Sequence, residues 1–245
     1  MKKFAVRVVV VALTAVALVY GGILLWTKVL HKPDEKLDTA DLSQTLDSAS
    51  PATTSLDGIS VGDTTVAPTT DTGVTGMWQA TSDSTVGYRV KEVLGGVDTE
   101  GVGRTTAVAG SLTIEGRTLI GVNFSVDVAT IKSDESKRDS KFAGEIMETD
   151  QFPEALFRLT SPVELPSIPT DGQQIEVNIT GELTLHGVAK SVTFPVTAEF
   201  TNGRIGVLGN IEVAFADFGI DNPSNGFVTT GDTGLIEFIL VFERL

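Results

Sequence analysis

The sequence predicts an all-β, antiparallel domain over residues 77–245, set behind an apolar N-terminal segment (1–32) and an acidic linker (33–76). Three observations predict it. From Met77 onward apolar residues recur at every second position in short runs, which places one apolar row on a single face of each strand. Turn-forming dipeptides separate those runs. Ahead of them, residues 8–27 carry no charge at all.

That uncharged stretch is about 20 residues long, enough to cross a hydrocarbon layer of roughly 30 Å as a helix. Tyr20 and Trp26 lie toward its C-terminal end, where amphipathic rings favour the membrane interface. A cleaved signal peptide is the competing reading. It would have an apolar region of about 7–15 residues and a small-residue cleavage site, whereas this run is longer and continues into LLWTKVLHK. The expectation is an uncleaved transmembrane signal-anchor. Lys2, Lys3, Arg7 and the terminal amine outweigh Lys28 and Lys32, which Asp34 and Glu35 follow closely. The positive-inside bias then gives a single-pass cell-membrane protein with its C-terminal domain extracytoplasmic.

Residues 33–76 are rich in Asp, Thr, Ser, Ala and Pro and show no sustained period. Such a segment buries too little apolar surface to offset its ordering entropy and reads as a flexible, solvated spacer. A short helix at 36–46 is the one element it could hold.

The strands follow. Ile120, Val122, Phe124, Val126 and Val128 alternate with polar or small residues. Ile175, Val177, Ile179, Leu183 and Leu185 repeat the pattern, with Gly181 in one slot. Val192, Phe194, Val196 and Ala198 come next, then Ile205, Val207, Ile211, Val213 and Phe215; residues 235–242 are apolar almost throughout. Glu115-Gly116, Asp171-Gly172, His186-Gly187 and Asn202-Gly203 supply the turns. Gly101-Val102-Gly103-Arg104 reads as a flexible hairpin loop. About eight or nine strands result, interrupted by one short helical insertion at 133–148, where a Ser/Asp-rich start can cap a helix. No crossover helix links the strands, so a sandwich or a closed barrel remains, and the period does not choose between them.

Candidate chemistry is sparse. The chain has no cysteine, and of its two histidines His31 adjoins the apolar segment while His186 stands at a turn. A transition-metal centre or a thiol nucleophile is therefore not expected. No GxSxG, Walker or GxGxxG motif occurs. Residues 77–245 hold 24 acids against 12 bases, a charge that repels nucleic acid and anionic lipid surfaces. Binding rather than catalysis is expected, with no cofactor and no metal.

Several runs resemble the YceI-like family, in the family's order. They are Trp78, Val86-Gly87-Tyr88-Arg89-Val90, Val108-Ala109-Gly110, then Ser133 with Lys137-Arg138-Asp139 and Lys141-Phe142. Phe152-Pro153-Glu154-Ala155-Leu156-Phe157 follows. The most specific run is Gly181-Glu182-Leu183-Thr184-Leu185-His186-Gly187-Val188-Ala189-Lys190, with Ala216-Asp217-Phe218-Gly219-Ile220 and Gly234-Leu235-Ile236-Glu237 behind it. Phe215 stands where the family often carries an Arg.

The resemblance implies an antiparallel, lipocalin-like barrel whose interior binds a polyisoprenoid or similar long lipid, for sequestration or transport at the envelope. The positions it marks as pocket residues are Trp78, Tyr88, Val90, Phe124, Phe142, Phe157, Leu183, Leu185 and Phe194. It leaves Arg138 and Lys141 as candidate head-group contacts, with Arg138 and Asp139 as a structural pair. The partners expected are that lipid and the membrane, through the N-terminal helix; a homodimer is the assembly left open. The alternative is a β-domain with a filled interior that docks another envelope protein.

Overall fold

Along Gln173–Leu185 the two-residue period becomes a wall: Ile175, Val177, Ile179, Leu183 and Leu185 are buried, while most of their neighbours face outward. The computed structural model describes residues 14, 18–24, 33–48 and 73–245. Thirteen strands follow one short helix, α1 (Thr39–Ser48). They are β1 (Gly76–Ala80), β2 (Thr85–Leu94), β3 (Val97–Thr105), β4 (Val108–Glu115), β5 (Thr118–Asp127) and β6 (Lys132–Ser133). After helix α2 (Ser136–Lys141) and a π-type turn (Phe142–Ile146) come β7 (Glu154–Leu159), β8 (Val163–Glu164) and β9 (Gln173–Leu185). The chain closes with β10 (Val188–Thr201), β11 (Arg204–Ala214), β12 (Val228–Thr230) and β13 (Thr233–Arg244).

Every ladder is antiparallel. The order β1-β4-β5-β7-β9-β10-β11-β13 returns to β1 through Trp78 opposite Arg244 and Ala80 opposite Phe242. An eight-stranded barrel results, which settles the choice between sandwich and barrel. β13 is shared. Its C-terminal part pairs with β1, and Leu235–Ile239 pairs with β2, which carries β3, β6 and β12. Gly101 and Gly103 lie inside β3, opposite Val90 and Tyr88. The hairpin between β2 and β3 turns instead at Gly95-Gly96, both with positive φ, which glycine adopts without a Cβ penalty. The loop expected at 101–104 is therefore a strand.

The linker also departs from expectation. Leu42 and Leu46, one helical turn apart, are fully buried against Leu208, Ile239 and Val241 on the outer face of β11 and β13. Gly206 leaves the room they occupy: a Cβ there would meet the Leu42 and Leu46 methyls at 2.7 and 2.8 Å. One apolar stripe of two leucines met a matching apolar patch on the barrel, so residues 33–48 form a strap rather than a spacer. Residues 49–72 lie outside the described residues.

Upstream of α1 the strap is held by charge. Glu237 projects from the outer face of β13, wholly buried, between Arg89 (Nε 3.1 Å) and Arg104 (Nη2 2.7 Å). The same guanidinium groups donate to the carbonyl oxygens of Asp34, at 2.9 Å, and Glu35. Burial works against the Arg89 charge, but hydrogen bonds to Glu237 and Glu100 outweigh it and hold the guanidinium above its ordinary value.

Most of the segment expected to span a membrane, 8–27, falls outside the described residues; Thr14 and residues 18–24 are helical. Among the described residues no helix is long and apolar enough to cross a membrane.

Candidate functional site

The inward rows of the eight strands do not meet in the middle. They surround a cavity of about 620 Å³ that runs the length of the barrel. One end is lined by Val74, Leu165, Ile175 and Ile205, the other by Leu94, Lys137, Lys141 and Val228. Between them the lining is almost wholly aliphatic and aromatic.

Glycines opposite aromatic residues keep this lumen open. Tyr88 faces Gly103, Phe124 faces Gly110 and Phe238 faces Gly209 across their ladders. Phe157 lies diagonally over Gly181. In each pair the ring occupies the place a Cβ would take on the glycine. The ring is laid along the wall instead of standing across the lumen, an arrangement that also repairs the weak point a glycine makes in a strand. Further edge-to-face contacts, Phe157 to Phe194 at 5.5 Å and Phe194 to Phe238 at 6.2 Å, fix the rings to one another.

The far end holds an aromatic cluster. Trp78 is buried there, its Nε1 donating to the Val74 carbonyl at 2.9 Å, with Phe200 edge-on at 6.2 Å and the Arg244 guanidinium 5.0 Å from its ring. Trp78 does not line the cavity. It fills the floor instead, because β1 joins the ring where the lumen ends.

The mouth is polar on one side. Tyr88 stacks on Phe142 at 4.6 Å and 16°, which ties β2 to the turn after α2. Burial keeps the Tyr88 hydroxyl protonated well beyond its ordinary range. Glu92, four residues further along the same face, is lifted above the ordinary glutamate value by burial. Arg138 at 3.9 Å and Lys141 oppose that shift, and Asp134 adds to it. Arg138 also pairs with Asp134, and Lys141 Nζ donates to the Pro223 carbonyl at 2.8 Å. Lys137, Arg138 and Lys141 all reach the cavity lining.

Of the residues marked from the sequence, Tyr88, Val90, Phe124, Phe142, Phe157, Leu183, Leu185, Phe194, Arg138 and Lys141 line this one cavity. Arg138 and Asp139 do not pair, since adjacent helical residues point apart. Asp139 instead accepts from the Ser133 backbone and hydroxyl, at 2.8 and 2.7 Å. His186, with φ 50°, reaches past its own turn to the Phe218 carbonyl (3.2 Å) and Glu148 (3.0 Å), joining three loops. Sequence reasoning missed Phe238, Phe242 and Glu92. Glu92 continues the Tyr88-Val90 alternation, which was signal enough; Phe238 and Phe242 sit in a run apolar on both faces.

Residues 78–242, which hold the barrel, its lumen and the helix at its mouth, match the family model of the YceI-like domain. The chain belongs to the YceI-like family. A UPF0312 protein of Vibrio parahaemolyticus is 32% identical over 108 residues, 40% of this chain and 52% of that one. A UPF0312 protein of Pseudomonas putida is 29% identical over 109 residues, 42% and 53%. The chain thus spans about half the length of the curated relatives it matches. A polyisoprenoid binding domain from Saccharophagus degradans, implicated in plant cell wall breakdown, shares the fold. It has a TM-score of 0.55 at 14% identity, over 69% of this chain and 98% of that one. In this YceI-like domain Phe215 is buried and lines the cavity.

Proposed function

We propose that the protein binds one long apolar lipid, a polyisoprenoid or similar chain, inside the barrel, and holds or carries it at the outer side of the cell membrane. The single observation that carries this reading is the lengthwise cavity of about 620 Å³ with an apolar lining. That volume lies within the roughly 300–1,000 Å³ of pockets that enclose small ligands. Each methylene moved from water into it contributes up to about 0.8 kcal/mol, so a chain of isoprene units needs no charged partner along its length. The polyisoprenoid-binding domain that shares the fold supports the same ligand class. Residues 8–27 act in this reading as the membrane anchor, and Arg138, Lys141 and Tyr88 meet the polar end of the lipid. The protein is a binder here and not an enzyme. The alternative of a filled docking module asks for a packed interior, which the cavity argues against.

Native mass spectrometry of the full chain, extracted in a cleavable detergent and offered a C40 polyprenol, tests the reading. One lipid per chain is expected, lost when Val196→Trp and Val177→Trp together fill the lumen. A chain that carries no lipid and takes none up would overturn it.

A further inference from the structure

The strap has a direction. Asp34 and Glu35 lie beside Arg89, Arg104 and Glu237, partway along the barrel. From there α1 leads away from the mouth, and Ser43 reaches Glu199 at 2.8 Å, beside Gln174 at the floor end. The strap, residues 33–48, therefore runs from the mouth side toward the floor end. Residues 18–24 lie where that direction requires. Ile23 is the only one of these seven that is not exposed, and its Cδ1 crowds the position a Cβ would take on Gly95, at 2.9 Å, beside the Phe227 ring at 3.7 Å.

The mouth rim beside that contact is apolar and exposed. Phe227 is 62% exposed and Val93 36%, and the Gly95 amide donates to the Phe227 carbonyl. On the same helical segment as Ile23, Leu18 and Val19 are also exposed, at 73% and 64%. A contiguous exposed apolar patch on a protein marks an interaction site. Its occupant is constrained by the 8–27 stretch, about 20 uncharged residues that include Ile23 at the rim, a length suited to hydrocarbon rather than to a protein groove. The net charge of residues 77–245, 24 acids against 12 bases, disfavours attraction to anionic head groups, which leaves apolar contact as the driving force.

We infer that the rim formed by Phe227, Val93 and Gly95-Gly96 rests on the lipid bilayer, held mouth-down by the strap, so that the lumen opens onto the membrane. The part of this inference concerning loading rests on the lipid-binding reading above; the docking part does not. A lipid can then pass between bilayer and barrel without crossing water.

The chain has no cysteine, so single labels are simple to place. The full chain is reconstituted into phosphatidylcholine vesicles carrying nitroxide on the acyl chains. An environment-sensitive fluorophore is attached in turn at Val93→Cys, on the rim, and Arg117→Cys, in the turn at the floor end. Severalfold stronger quenching at position 93 is expected. Phe227→Asp, an exposed change that spares the core, should bring it down to the level at position 117, and anionic lipid should not strengthen it. Equal quenching at both positions, stronger quenching at 117, or a chain that stays off the vesicles overturns docking. Transfer of a fluorescent polyprenol separates the two readings. Phe227→Asp should slow its uptake from vesicles severalfold and leave uptake from detergent micelles unchanged; equal slowing from both sources overturns direct loading. No uptake from either source overturns lipid binding, while the quenching contrast still decides docking.

Discussion

Phe157 lies over Gly181 on the neighbouring strand, its ring occupying the space where a side chain on Gly181 would begin. Any larger residue at 181 displaces that ring toward the lumen and also crowds the Arg158 backbone carbonyl. Gly181→Val is expected to reduce polyprenol uptake sharply and to cost about 1–3 kcal/mol, as overpacking does. Paired measurement of lipid stoichiometry and urea unfolding checks both parts. Phe157→Ala in the same background should return lumen volume and restore uptake in part, which a general folding defect would not allow.

Leu42 and Leu46 test whether the strap belongs to the folded unit. Each is fully buried, and truncation of such a leucine costs about 2–5 kcal/mol, depending on how far the site collapses. Leu46→Ala should therefore lower the urea midpoint of the whole barrel. Amide exchange should rise first along the outer face of β11 and β13. If residues 33–48 were a free tether, the midpoint would not move.

Glu237 faces two guanidinium groups in a buried site. Glu237→Gln leaves Arg89 and Arg104 facing each other beside the strap with only Glu100 and Asp34 as remaining acids. The expected loss is about 3–5 kcal/mol, the usual consequence of removing one partner from a buried ionic cluster. Raising salt should recover little of it, because screening acts weakly on buried charge. A loss that salt largely restores would contradict the buried setting.

Glu92 gives a pH signature. Its folded-state carboxyl is held above the ordinary glutamate value, chiefly by burial. Between the two values the native state keeps a proton that the unfolded chain has released, so stability falls as pH rises through that window and is flat above it. Glu92→Gln removes this slope. The difference in unfolding free energy between variant and parent should shift in favour of the variant as pH rises from the ordinary glutamate value toward neutrality. A difference independent of pH would show the carboxyl to be unperturbed.

The barrel wall was legible because one side of β9, and of most of β5 and β10, faces water, so burial alternates with a period of two. β13 was not. Ile239 and Val241 point outward and are as buried as the inward Phe238 and Phe242, so the run is apolar on both faces and no period remains to assign them. The residues that cause this are Leu42 and Leu46, set in a stretch of Asp, Ser and Thr where two leucines four apart are a weak signal. Tyr88, Phe124 and Phe157 were placed from their resemblance to known runs. The glycines beneath them, of which Gly181 was read as an empty slot and Gly103 as part of a loop, explain why the wall they form is thin enough to leave a lumen.

The sharing of β13 has a mechanical consequence. Its two halves pair with different strands, and among the described residues β3 and β4 form no ladder with each other. The wall is therefore split along one seam at the open end, bridged by the Tyr88–Phe142 stack, the Glu92–Arg138 contact and the two-residue pairing of β3 with β6. A bulky guest passing there would part a few side chains and one short bridge. The ladders that close the eight-stranded ring would bear none of the strain, as a sleeve opened at its cuff leaves its cloth whole.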